Sequence, residues 1–292
     1  MDAMRIAAAN WELRQIARYE DFEEHLCAIV AAAGGADLVL LPENVTYELL
    51  HLCPGFPEEL VPEAIAGHAD AVLASLADAA RRHGVRIVGC TSLVRTPAGI
   101  VNAWAYADPD GAFWGGAKNR LIQYEIAPQC LTPGNGLSLL PDSRFGVAVC
   151  YDIEFPECGR ALAEAGALCF LVPANTEDRR GFHRVRRCAL ARAVENQVFV
   201  AHASLVGRLG AEPVPSTHGS SAVIAPSIEP FPADAVLDQS PFGVEGAAVA
   251  DLDFEALLAA RQAGEVRNWN DRNAGEWRVR RPGIETSHDP GR

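Results

Sequence analysis

Short apolar runs that stop abruptly at a polar residue recur along this chain and alternate with helical patterns. Asp37-Leu38-Val39-Leu40-Leu41 is apolar on both faces, as a strand covered on both sides must be, and it delivers Pro42-Glu43 at its end. Gly146-Val147-Ala148-Val149 ends in Cys150, and the strand over 167–172 leads into Pro173-Ala174-Asn175. Residues 4–10 and 86–94 read as further strands. Apolar spacing predicts helices over 20–33, from Pro62 to about His83, from the Cys150 turn to Gly166, over 181–196 and over 254–265. Such alternation makes an α/β chain. Hairpins interrupt it: strands at 101–107 and 113–118 flank Asp108-Pro109-Asp110-Gly111, and two more flank Pro141-Asp142-Ser143. A doubly wound sheet or a closed (β/α)8 barrel has no need of them. Two sheets packed face to face with helices outside accommodate both features. No linker or repeat divides residues 1–266, which we expect to form one domain. Residues 267–292 mix Trp269, Trp277 and arginines with Gly and Pro, and are expected to be a C-terminal arm lying on this subunit or a neighbour.

Composition narrows the function. A formal charge of −13, with basic clusters only near 184–187 and in the tail, argues against a nucleic-acid partner. No run approaches the roughly 18 apolar residues of a membrane span, and residues 1–5 lack a signal-peptide layout, so a cytoplasmic protein without membrane contact is expected. The eight cysteines are irregularly spaced with no C-x-x-C pair, which gives no support to a disulfide framework or a structural zinc site. Most of them, Cys130 and Cys158 included, are expected to be packing thiols. No metal and no cofactor is expected.

Cys150 differs from the rest in its context. It ends a strand, a proline-containing polar turn follows, and Cys158-Gly159-Arg160-Ala161-Leu162-Ala163-Glu164 continues as a helix. Backbone N–H groups at such a junction favour a thiolate and can hold a developing oxyanion. Glu43, Lys118 and Glu125 are polar residues at or near the ends of other elements, where ligands of open α/β sheets gather. Their chemistry suits a cysteine nucleophile. A carboxylate can take the thiol proton, an ammonium can stabilise a tetrahedral oxyanion, and a second carboxylate can position either one. None of the histidines is a strand-end candidate paired with Asn or Asp.

Pro42-Glu43, Lys118 with Leu121 and Glu125, and Cys150-Tyr151-Asp152 followed by Phe155-Pro156-Glu157 together resemble the ordered signature of the nitrilase, or carbon–nitrogen hydrolase, superfamily. Pro133-Gly134-Asn135, Pro173-Ala174-Asn175 and the 191–197 segment extend the match over about residues 4–255. The resemblance implies a four-layer αββα sandwich, usually paired as a homodimer or higher homo-oligomer. It implies Glu43 as general base, Lys118 as oxyanion stabiliser, Cys150 as the nucleophile that forms a thioester, and Glu125 as an additional orienting glutamate. The Tyr151 N–H would be a second oxyanion donor, with Asn175 and Thr176 beside the substrate. Nitrile-cleaving members typically carry Cys-Trp-Glu where this chain has Cys150-Tyr151-Asp152, so the resemblance favours a small linear amide or N-carbamoyl substrate, with ammonia or an amine released. A true nitrilase and a catalytically silent binding subunit are the alternatives.

The chain departs from the family pattern at Gly115-Gly116-Ala117, before the lysine, and at Thr176-Glu177-Asp178-Arg179-Arg180. Both places border the expected pocket. Arg184, Arg186 and Arg187 are expected on a solvated or subunit-facing helix side. Arg179, Arg180 or Arg184 is the alternative partner for a substrate carboxylate. Arg192 and Glu195 are expected to be structural or interfacial.

Overall fold

Strand β1 (Met4–Leu13) is the spine. On one side it pairs in parallel with β2 (Leu38–Leu40), and β2 in parallel with β3 (Arg86–Thr96). β3, β4 (Gly99–Asp108) and β5 (Gly111–Ala117) then run as an antiparallel meander. The C-terminal half of β1 runs parallel to β9 (Phe199–Gly207), followed outward by β8 (Cys169–Ala174), β7 (Phe145–Val147) and the short β6 (Ser138–Leu139). Three antiparallel strands complete the sheet. β10 (Ala222–Ile224) lies on β9, β11 (Val236–Gln239) on β10, and β12 (Gly246–Leu252) on β1. The computed structural model describes residues 3–53, 55, 58–209 and 216–275.

Strand alternation sorts the side chains into two cores. Ile6, Ala8, Leu38, Leu40 and Val88 face inward and pack with Phe145, Phe170 and Phe199 of the other half. Ala7, Ala9, Trp11, Val39, Leu41 and Ile87 face the opposite way, beneath α1 (Tyr19–Ala32) and α3 (Ala69–His83). Helices α5 (Pro156–Glu164) and α6 (Arg179–Asn196) bring Leu162, Val185 and Ala189 onto the outer face of the second half. The layers are therefore helix, sheet, sheet, helix, with the two sheets joined into one through β1 and β9. Helix α1 buries the face its spacing predicts, Phe22, Leu26, Ile29 and Val30. A fully buried Phe such as Phe22 contributes roughly 1.5–3 kcal/mol.

Several expectations are corrected. The single helix expected from Pro62 to His83 is two, α2 (Val61–Ala66) and α3. Gly67, a weak helix former, stands at the break, where the ladder tightens to a bond from His68 N to Ile65 O at 3.0 Å. This lets Ile65 and Val72 each face the core. β11 lies in what reads as a proline-broken connection, because its half-buried edge residues carry little apolar signal. Cys130 is exposed and not a packing thiol, while Cys158 is half-buried. Arg186 is buried and not solvated, donating to Gln239 Oε1 at 2.8 Å and to the Ser220 carbonyl.

After α7 (Phe254–Ala263), the start of the expected arm forms α8 (Asn268–Asp271). The Trp269 N–H donates to Gln197 Oε1 at 3.1 Å, and Arg261 stands 4.9 Å from the Trp269 ring centroid. Trp277 and the rest of 276–292 lie outside the described residues, as do Pro54, Phe56 and Pro57. Among the described residues, no helix is long and apolar enough to cross a membrane.

Candidate active site

The second residue after Leu41 is Glu43, set at the mouth of the sheet by the Leu41 N to Val88 O bond of 2.8 Å. Asn44, left-handed at φ 61°, then turns the chain into a 3-10 helix over Val45–Leu52. Lys118 directly follows β5 and is fixed by its own backbone: its N–H donates to Asn102 O at 2.9 Å, and its carbonyl accepts from Gly134 N at 2.7 Å. A Cβ on Gly134 would stand 2.5 Å from the Ala117 carbonyl oxygen, so only glycine permits this approach. The departure ahead of the lysine has a similar cause. A Cβ on Gly115 would fall 2.1 Å from the Trp104 ring, which lies across β5 there. Glu125 sits on the short α4 (Gln123–Ile126) and accepts from Ile122 N at 2.9 Å.

Cys150 opens a 3-10 helix over Cys150–Glu154 with φ 47°, an uncommon conformation for a residue with a side chain. Two buried contacts hold this turn. Asp152, 2% exposed, accepts from the backbone N–H groups of Asn119 at 3.1 Å and Arg120 at 2.7 Å, which fastens the nucleophile turn to the segment after Lys118. Arg192 donates to the carbonyls of Ile153 at 3.2 Å and Glu154 at 2.9 Å, satisfying groups that a helix end leaves unpaired.

Glu43, Lys118, Glu125 and Cys150 converge. Lys118 Nζ lies 2.9 Å from Glu43 Oε1 and 2.8 Å from Glu125 Oε2, with all three side chains less than a tenth exposed. Asn102 Nδ2 bridges the same carboxylates, at 2.9 Å to Glu43 Oε1 and 3.1 Å to Glu125 Oε1. The second Glu43 oxygen accepts from Asn175 N at 3.0 Å. Cys150 Sγ donates to Asn175 O at 3.4 Å and lies within side-chain hydrogen-bonding range of Glu43.

Burial sets the charges. It pushes the Cys150 thiol well above its usual range, the Glu43 carboxylate adds to this, and Lys118 opposes it. Burial thus works against the thiolate that the strand–helix junction favours, and it does so beside the carboxylate expected to take the thiol proton. Burial also raises Glu43, against the pull of Lys118 and with a push from Glu125. For Lys118 burial acts downward, but the two carboxylates more than offset it and hold the ammonium well above its usual value.

The other named residues stand as follows. Tyr151 is half-buried with its ring edge-on to Phe155, centroids 5.0 Å apart, and its N–H lies in the first turn of the 3-10 helix, where no helical carbonyl can accept it. Asn175 meets Glu43 and Cys150 through its backbone. Thr176 lines the cavity, but its hydroxyl is spent on His218 O at 2.7 Å. Arg184 also lines it and pairs with Glu154, Nε lying 2.9 Å from both carboxylate oxygens. Sequence reasoning misses Asn102, Asp152 as the fastener, and the buried pair in which Gln129 Nε2 donates to Tyr47 Oη at 3.0 Å. The one signal for Asn102 is a lone amide inside the apolar run of β4.

A buried carboxylate–ammonium–thiol cluster on an αββα frame defines a class, and the sequence agrees. Residues 5–262 match the carbon–nitrogen hydrolase family, and the chain belongs to it: it is a carbon–nitrogen hydrolase. It is 32% identical over 270 residues to an (R)-stereoselective amidase of Pseudomonas sp, covering 91% of this chain and 89% of that one. To Omega-amidase NIT2 of Danio rerio it is 30% identical over 245 residues, 80% of this chain and 82% of the relative. To Probable hydrolase YhcX of Bacillus subtilis (strain 168) it is 29% identical over 92% of its length, and it spans only 53% of that longer protein. Among solved structures, a double mutant of the amidase from Nesterenkonia sp. AN1 in complex with acrylamide superposes with a TM-score of 0.66 at 25% identity, covering 93% of this chain and 97% of that one. Saccharomyces cerevisiae Nit3 shares the fold, with a TM-score of 0.70 at 21% identity over 89% of this chain and 93% of its own.

Proposed function

We propose that this enzyme hydrolyses a small linear amide or N-carbamoyl compound through a thioester on Cys150. The observation that carries the reading is Lys118, held between Glu43 and Glu125 in the same buried site as the thiol. Glu43 takes the thiol proton as sulfur attacks the carbonyl carbon. The oxyanion that forms is met by the Lys118 ammonium and the Tyr151 N–H. Glu43 returns the proton to the leaving nitrogen, the C–N bond breaks, and ammonia or an amine departs. Water, deprotonated by Glu43, then attacks the thioester. The acid is released, and the proton passes back to sulfur.

A cavity of about 200 Å³ beside these groups supports a small substrate, since it lies below the usual range of about 300–1,000 Å³ for drug-sized ligands. Asp152 has its acceptor sites filled by Asn119 and Arg120, which supports a positioning role for it. The test is an ammonia-release screen over aliphatic amides, ω-amides, N-carbamoyl amino acids and the matching nitriles, with Cys150→Ala as control and mass spectrometry of acid-quenched enzyme. Turnover of amides with an acyl adduct on Cys150 is expected. Ammonia from nitriles but not from their amides would make the protein a nitrilase, and activity retained by Cys150→Ala would remove the nucleophile from this account.

A further inference from the structure

Among the described residues four carboxylates are buried: Glu43, Glu48, Glu125 and Asp152. Glu43, Glu125 and Asp152 belong to the site and the turn beside it. Glu48 faces away from them, toward β1 and α1, and is 0% exposed. A buried carboxylate is costly unless donors reach its oxygens, and an apolar side chain of similar volume often packs at least as well. Its donors come from the scaffold. Trp11 Nε1 of β1 and the N–H of Arg14, the first residue after that strand, donate to Glu48 Oε1 at 2.8 and 2.9 Å. His25 Nδ1 of α1 lies 3.3 Å from Oε2. His25 is itself fixed from behind, with Nε2 2.8 Å from Glu245 Oε2 and its ring 4.2 Å from the Trp11 ring between centroids. The central strand and the first helix thus grip one side chain.

Glu48 stands on the 3-10 helix Val45–Leu52, which begins two residues after Glu43. Eight residues is long for a helix of this kind, whose hydrogen bonds are poorly aligned, so it depends on what holds its sides. With three residues per turn, side chains three apart lie one above the other. Asn44, which caps the helix, and Tyr47 are three apart, and both line the catalytic cavity. Glu48 and His51 form the next row. Both are anchored, Glu48 as described and His51 by Nε2, 3.1 Å from the Leu209 carbonyl oxygen. One row of the helix is fixed to the scaffold. The adjoining row, with Glu43 just ahead of it, faces the reaction.

We infer that Glu48 is a positioning residue for this reaction: through the 3-10 helix it sets where Glu43 and Tyr47 stand relative to Cys150. This deepens the amide-hydrolase reading above and rests on Glu43 as its base. A misplacement of the order of 1 Å in a reacting group can cost about a hundredfold in rate. A helix released on its anchored side therefore slows proton transfer from the thiol even with every catalytic side chain present.

Two variants of matched side-chain length test this. Glu48→Gln keeps one acceptor oxygen. Glu48→Met keeps none and leaves Trp11 Nε1, the Arg14 N–H and His25 Nδ1 facing a thioether. On protein shown to be folded by circular dichroism, kcat and KM are measured for the best amide of the screen. The rate at which iodoacetamide alkylates Cys150 is read separately, by peptide mass spectrometry; it needs no substrate and reports how well Glu43 serves the thiol. In Glu48→Gln kcat should fall severalfold, and in Glu48→Met at least about tenfold, with KM moved less and alkylation slowed in parallel. Where Glu48→Met does not fold, Glu48→Gln alone decides. Unchanged kcat and unchanged alkylation overturn the inference, and a lowered denaturant midpoint beside them would make Glu48 a purely structural anchor. Where the natural enzyme turns over no amide in the screen, the hydrolase reading falls, and the alkylation rates still judge Glu48.

Discussion

Asn102 Nδ2 lies 2.9 Å from Glu43 Oε1, and the same nitrogen reaches Glu125 Oε1 at 3.1 Å. One neutral amide from the middle of β4 thus ties together two buried carboxylates that would otherwise repel each other, while Lys118 neutralises one of the two charges.

Replacing Asn102 by Leu keeps the volume close and removes the donor. A hydrogen bond to a charged group contributes about 1.5–3 kcal/mol, so a fall of roughly 10- to 100-fold in kcat/KM is expected. Because the lost donor favours the charged form of Glu43, the acid limb of the rate profile should also move to higher pH. A drop in rate with an unmoved limb would mean that Asn102 only shapes the site.

The rate profile of the natural enzyme carries its own expectation. Glu43 acts as a carboxylate, and burial raises its pKa above the ordinary 4.5 of a glutamate. Activity should therefore be lost, as pH falls, around a midpoint above that value. Lys118 is held well above its usual range and should impose no alkaline limb below about pH 10. Glu125→Gln removes a like charge that raises Glu43, so it should shift the acid midpoint downward. A midpoint at or below 4.5 would count against Glu43 as the base.

Asp152 accepts two backbone N–H groups from the segment after the lysine. Asp152→Ala leaves both part-buried donors unpaired and should cost about 1–3 kcal/mol in unfolding free energy, read from denaturant midpoints. Asp152→Asn retains one acceptor oxygen and should recover part of that stability along with part of kcat. Equal loss in both variants would mean that charge, and not hydrogen bonding, fastens the turn.

His202 offers a stability test away from the chemistry. Burial, with the Arg186 charge in support, holds its folded-state pKa well below 6.5. The unfolded chain therefore binds a proton that the native state refuses. Stability is full above the unfolded value, near 6.5, and falls as pH drops below it, by at most about 1.4 kcal/mol per unit. Comparing denaturant midpoints at pH 7 and pH 5.5 in the natural protein and in His202→Asn should show a shallower fall in the variant.

What sequence could reveal follows from where each signal resides. Glu43, Lys118 and Cys150 adjoin apolar strands, and a polar side chain at the end of such a run is visible without coordinates. Glu125 needs its spacing from Lys118. Asn102 stays hidden because its partners lie 59 and 23 residues away, and a lone amide in an apolar strand does not say what it binds. The upward push of burial on the thiol is also invisible, since it depends on what packs around Cys150 in the fold. Fold class follows from alternation and hairpins. The joining of the two sheets through β1 and β9 does not, because it depends on which half of a ten-residue strand each neighbour takes.

The sulfur of Cys150 is aimed by a backbone conformation that glycine adopts freely and cysteine does not. Position 150 is therefore one where endurance and catalysis favour different residues. A library of this enzyme sorted only for survival at high temperature will tend to drift toward glycine there and become hardier and inert. Selection for turnover must act at every generation to keep the thiol in place.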